Sequence, residues 1–147
     1  MLAILLTPVR PGAPLTLADD RPLPAHLREQ LRAAGARDVV LTDDLTEVAV
    51  LADTAREPVL LCSGDLVAHT AVLRHLATSP LPGTVALVLP EPGAGPVGVV
   101  EERGQVVGAA PPGADPAPDA AVGTGVASTG AFGGAIRVSV ADLPALA

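Results

Sequence analysis

Residues 58–65 read Pro-Val-Leu-Leu-Cys-Ser-Gly-Asp, an apolar run that stops on Gly64 and the carboxylate of Asp65. The following residues, 66–78, have helical spacing, so the acid falls where a strand gives way to a helix. In an open α/β sheet the ligand crevice lies outside the carboxyl ends of the strands. An acid there is placed to hold a metal ion or a sugar hydroxyl. The competing reading gives Asp65 a structural task, capping the helix that follows it. Arg10 and Arg21 fall in the loop after the first apolar run, and a guanidinium fork suits phosphate oxygens. Asp19 and Asp20 stand between them as a turn or as local ion-pair partners, and two adjacent acids repel a triphosphate.

Other reactive side chains offer less. His69 and His75 are six residues apart, so they do not share a helix face as a metal pair at i, i+4 does. They and His26 read as neutral packing or surface histidines. Ser63 lacks the Gly-x-Ser-x-Gly surroundings of a nucleophile elbow. Gly123-Thr124-Gly125 has no strand-to-helix turn around it, which removes a dinucleotide fingerprint. Cys62, the single cysteine, reads as a small buried strand residue and excludes an internal disulfide framework. That usage fits a reducing, cytoplasmic compartment.

Composition narrows the field further. The 147 residues suit one domain, spanning 1–147, and 49% are hydrophobic with Phe132 the lone aromatic. Such a core is built from Leu, Val and Ala in regular layers. Lysine is absent and all nine cations are arginine, against a net charge of −7. An acidic chain without Trp or Tyr lacks both the basic face and the stacking platforms of a nucleic-acid binder. No apolar run approaches the roughly 20 residues of a membrane-spanning helix.

The elements that must position Asp65 follow from periodicity. Residues 2–7 are apolar throughout and predict a buried parallel strand. Pro24 suits the first turn of a helix with Leu27, Leu31 and Ala34 on one face, and Gly35 suits its left-handed end. Residues 38–42 predict a second strand. Asp43 or Asp44 is placed to cap a helix whose inward positions are Leu45, Val48, Ala52 and Ala55. Residues 59–62 form a third strand, 67–78 its helix, and 84–89 a fourth strand. This alternation predicts a parallel sheet with helices on both faces and right-handed crossovers. Beyond Pro90 the texture changes. Residues 97–100 and 105–109 flank 101–104 as an antiparallel hairpin on the sheet's edge. Residues 111–118 carry four prolines and read as a loop, and 123–134 is rich in small residues. Residues 135–140 return as a last strand, and Asp142 is placed to cap a helix that barely begins. That stop reads as a fragment of a longer chain.

Taken in order, Leu5-Leu6-Thr7, Arg10, Gly12, Leu15-Thr16, Arg21-Pro22-Leu23, His26 and Ala34-Gly35 resemble the opening of sugar-phosphate nucleotidyltransferases. Gly64-Asp65 is similar to that family's Gly-Asp, whose carboxylate holds magnesium. Residues 97–109 resemble the hairpin around a variable substrate loop. Gly133-Gly134-Ala135-Ile136 resembles the strand returning before a Ser-x-x-Asp-Leu helix start, here Ser139 to Leu143. More narrowly, the chain resembles the nucleotidyltransferase-like N-terminal part of actinobacterial proteins related to CDP-alcohol phosphatidyltransferases.

The resemblance implies an α/β fold with a three-layer, Rossmann-like (GT-A-like) and mostly parallel sheet. It implies that Arg10, Gly12 and Arg21 contact nucleotide or phosphate and that Asp65 holds Mg²⁺. A nucleotide, a sugar or polyol phosphate, and a fused or associated membrane transferase are the implied partners. Physics marks departures from the family. Pro8, Pro11 and Pro14 remove three backbone donors from the phosphate loop, leaving Gly12 to approach a phosphate closely. Arg21 stands where the family has lysine. A degenerate domain serving regulation or docking is the favoured expectation, and a working Mg-dependent nucleotidyltransferase the alternative. A phosphoacceptor receiver module has the same strand–helix rhythm, but that chemistry relies on a lysine.

Overall fold

The computed structural model describes residues 1–7, 16, 20–90, 98–102, 104–110 and 130–146. In chain order these form β1 (Leu2–Leu6), α1 (Leu23–Ala33), β2 (Asp38–Thr42), α2 (Leu45–Thr54) and β3 (Val59–Ser63). Then come α3 (Thr70–Ala77), β4 (Val85–Leu89), β5 (Gly98–Glu102), β6 (Gln105–Ala110) and β7 (Gly130–Val138), and a short 3-10 turn over Leu143–Ala145. The fold is α/β. Two compact units divide it, Met1–Val85 with Gly134–Ala147, and Ala86–Gly133.

In the first unit β1 lies between β2 and β3 and runs parallel to both, with Leu2 opposite Asp38 and Val59. Because β2 and β3 lie on opposite sides of β1, the two crossover helices are carried to opposite faces. Strand alternation sorts the side chains accordingly. Ile4, Val59 and Val138 pack with Val48 and Ala52 of α2 and with Leu143. Ala3, Leu5, Leu60 and Cys62 point the other way, toward the face where α1 packs on β1 and α3 packs on α1. Leu27, Leu31 and Leu73 are fully buried on that side. Each such leucine contributes roughly 1.5–3 kcal/mol through removal of apolar surface from water.

Local signals set the helix ends. Pro24 occupies the first turn of α1, and Gly35 ends it at φ 107°, where the Ala36 amide donates to the Leu31 carbonyl at 3.0 Å. A side chain at that φ is strained, which is why glycine stands there. Asp44 caps α2 by accepting from the Thr46 amide at 2.8 Å.

Four expectations need correction. The third helix begins at Thr70, not 67, because His69 is its N-cap, its Nδ1 accepting from the Ala71 amide at 3.2 Å. Residues 66–69 are irregular, and the Ala68 carbonyl is taken by Gln30 Nε2 at 2.9 Å. The fourth strand does not extend the parallel set beside β3. The antiparallel β7 occupies that place, pairing Val59 with Val138 and Cys62 with Ala135, and β4 pairs with β7 instead. β7 itself begins at Gly130 and ends at Val138, so the small-residue stretch around Gly133 and Gly134 is strand. Asp142 makes no side-chain cap; its Oδ2 accepts from the hydroxyls of Thr84 and Ser139, each at 2.7 Å.

In the second unit β5 and β6 form the expected antiparallel hairpin, with Gly104 in its turn at φ 78°. The strands extend into residues 101–102, and a register shift falls between Val100 and Glu101. β5 also pairs antiparallel with β7 at Ala131 and Gly130. Leu87 of β4 lies so close to Gly133 that a Cβ there would meet its Cγ at 2.7 Å and its carbonyl oxygen at 3.0 Å.

Candidate functional site

The carboxyl ends of β1 and β3 meet. Leu6 is opposite Ser63, and the Gly64 amide donates to the Leu6 carbonyl at 2.6 Å. On the other flank the Thr7 amide donates to the Thr42 carbonyl at 2.9 Å. Strand order reverses at β1, so the point between the exits of β1 and β3 is the topological switch point of the parallel strands. The chain leaves β3 through a tight turn closed by the Leu66 amide on the Ser63 carbonyl at 3.1 Å, with Leu66 buried beneath it. Asp65 stands half-buried in this turn. Its Oδ1 accepts a short hydrogen bond from the Ser63 hydroxyl.

This geometry decides between the two readings of Asp65 in one respect. With α3 starting at Thr70 and capped by His69, Asp65 is not a helix cap. A carboxylate at a switch point, with no part in starting the helix, is available to a ligand. Fitness for Mg²⁺ is more limited. One Asp65 oxygen is engaged by Ser63, and among the described residues no three carboxylate, histidine or cysteine groups gather as a metal set. A single carboxylate holds Mg²⁺ only with waters and substrate phosphates completing the octahedron. The described side chains do not build a metal centre by themselves.

Of the phosphate-binding expectations, Arg10 and Gly12 lie outside the described residues, as do the loop 111–118 and residues 123–129. Arg21 is described. Its Nη1 donates to Glu29 Oε2 on α1 at 3.0 Å, with both side chains exposed. An exposed pair of this kind contributes little to stability. Just before it, Asp20 has φ 61°, and Thr16 bridges antiparallel to Pro22, so Asp20 sits in a turn. Aspartate tolerates that left-handed backbone better than most residues.

Two wall residues escaped the sequence reading of the site. Gly134, at φ 81°, lies against the β3 turn: a Cβ there would sit 3.5 Å from Leu66 and 3.7 Å from Ser63. Thr42 is buried at the end of β2, and its Oγ1 accepts from the Asp44 amide at 3.0 Å, fixing the chain beside the β1 exit. The glycine pair was visible as a motif, but its contact with the β3 turn depends on β7 inserting beside β3. His26 and His75 join no metal group among the described residues. Cys62 is buried, and loss of water pushes its thiol pKa up to about 12, so it is no nucleophile in the fold.

An open concavity of about 370 Å³ lies at the opposite, amino end of the same strands, lined partly by Met1, Arg37, Leu51, Arg56 and Glu57. Its charges answer one another: Glu57 accepts from the Met1 ammonium at 2.6 Å and from Arg37. Among the described residues, no helix is long and apolar enough to cross a membrane. Comparison with protein-family models gave no match, and a search of curated proteins gave none.

Proposed function

We propose that the chain is a degenerate nucleotidyltransferase-like domain, Rossmann-like in its three layers, that binds a nucleotide or a sugar or polyol phosphate without turning it over. It serves as a regulatory or docking module in the cytoplasm, associated with a membrane enzyme of phospholipid head-group (CDP-alcohol) transfer. The observation that carries this reading is Asp65 at the β1/β3 switch point, half-buried and free of helix capping, yet in no group of three metal-binding side chains among the described residues. Nucleotidyl transfer needs the attacking phosphate and the α-phosphate held in line while anionic charge is neutralised. The order of motifs from Thr7 through Arg21 to Gly64-Asp65 supports binding. The prolines at 8, 11 and 14 and the absence of lysine count against catalysis.

The alternative is an active Mg-dependent nucleotidyltransferase making a CDP- or NDP-activated sugar or polyol phosphate, favoured by the same position of Asp65. Bound Mg²⁺ would then supply charge neutralisation at the phosphates, with Asp65 the residue that holds it. Pyrophosphate release separates the two. With CTP, Mg²⁺ and a sugar or inositol phosphate, the proposal expects none above background. Release that disappears in Asp65→Ala overturns it in favour of the enzyme.

A further inference from the structure

Among the described residues nothing pairs with the outer edge of β2, which ends the strand order β2-β1-β3-β7. An edge strand presents a row of backbone amides and carbonyls to any second strand that approaches. Natural edges discourage this with lysine, proline or a bulge. β2 reads Asp38-Val39-Val40-Leu41-Thr42 and keeps unbroken register with β1, so it has none of the three. Val39, Val40 and Leu41 remain half-buried, with apolar surface left for a neighbour to cover.

We propose that β2 pairs antiparallel with β2 of a second copy, about a two-fold axis at Val40. Charge selects this register. Centring on Val40 sets Val39 opposite Leu41 of the partner subunit, and Arg37 opposite Asp43 of the partner subunit. Symmetry supplies each pair twice. Arg37 is 72% exposed, and its five-donor fork is not exhausted by the bond to Glu57. A slip of one residue one way puts Arg37 against Thr42 of the partner subunit and loses both ion pairs. The opposite slip puts Arg37 against Asp44 of the partner subunit but sets Asp38 against Asp43 of the partner subunit, like charges facing each other twice. Directly opposed side chains on paired strands lie within interaction range, so the arrangement is self-complementary in apolar content and charge. Five residues of added ladder make a small interface, with affinity on the order of micromolar.

Sedimentation velocity on the unmodified chain, from about 1 µM to 1 mM in low salt, is the test. The expected result is a shift from the 14.6 kDa chain to twice that mass. Arg37→Asp and Asp43→Arg each place like charges across the axis and raise the dissociation constant about tenfold or more. Mixed in equal amounts, the two variants regain the dimer, because each supplies the charge the other lacks. A monomer at every concentration, variants that dimerise as the unmodified chain does, or a mixture that stays monomeric overturns the proposal. Should a substitution unfold the chain, amide exchange of the unmodified protein decides. Protection at 38–42 that rises with concentration supports pairing, and protection independent of concentration refutes it.

Discussion

At the amino ends of β1–β3, Glu57 collects the Met1 ammonium and Arg37, and its carboxyl pKa is held below the usual range by those hydrogen bonds. At the carboxyl ends of the same strands Asp65 has a serine hydroxyl for a partner, and among the described residues no cation pairs with it. Both ends are made by the same parallel strands, so strand geometry does not explain the difference. Charge that only has to be accommodated is matched locally. Charge left partly unmatched, at a switch point, is where under the proposed function a ligand's own charge would complete the balance.

The comparison is broken most severely from beneath, through the core both ends share. Leu31→Ala empties a fully buried position between α1 and the sheet and is expected to cost about 2–5 kcal/mol, read from urea midpoints. Both ends loosen together in amide exchange. Gly134→Ala sharpens the contrast instead. It forces a side chain into φ 81° beside Ser63 and Leu66, for about 1–3 kcal/mol. Its chemical-shift changes are expected to centre on residues 63–66 and leave 37–38 and 57 unmoved.

Smaller effects follow from protonation. The buried Cys62 thiol is expected to resist a disulfide reagent at pH 8 in the fold and to react at once in urea. Its raised folded value means stability is complete below its ordinary value of 9.0 and declines as pH rises toward about 12. Glu57 and Asp142 act with the opposite sign. Hydrogen bonds lower both, Asp142 chiefly through Thr84 and Ser139, so their contributions are present above their ordinary values of 4.5 and 3.8. Those contributions are lost as pH falls below them. Glu57→Gln is expected to flatten the acid limb of a melting-temperature profile slightly, the smallest change of the set, with the Asp65 end unaffected.

Much of the first unit was legible because period and punctuation agreed. Leu27 and Leu31 marked the buried face of α1, Gly35 its end, and Asp44 the start of α2. The late start of α3 was not legible, since helical spacing over 66–78 says nothing about Gln30 taking the Ala68 carbonyl. Nor was the placement of β7, whose pairing with β3 joins residues 73 or more apart, as from Cys62 to Ala135, and leaves no local trace. The candidate site divides along the same line. Asp65 was visible as a strand-ending acid, and its neighbour β1 followed from alternation. Gly134 as its wall required the long-range pairing, as did seeing Arg137 of β7 donate to the Ser79, Leu81 and Gly83 carbonyls of the loop before β4.

The unmatched carboxylate is tested most directly by isothermal titration of CTP with Mg²⁺ into the unmodified chain and into Asp65→Ala. Magnesium-dependent heat in the first and its loss in the second, with the variant's fold intact by circular dichroism, is the expected result. Equal binding by both proteins contradicts the role assigned to Asp65.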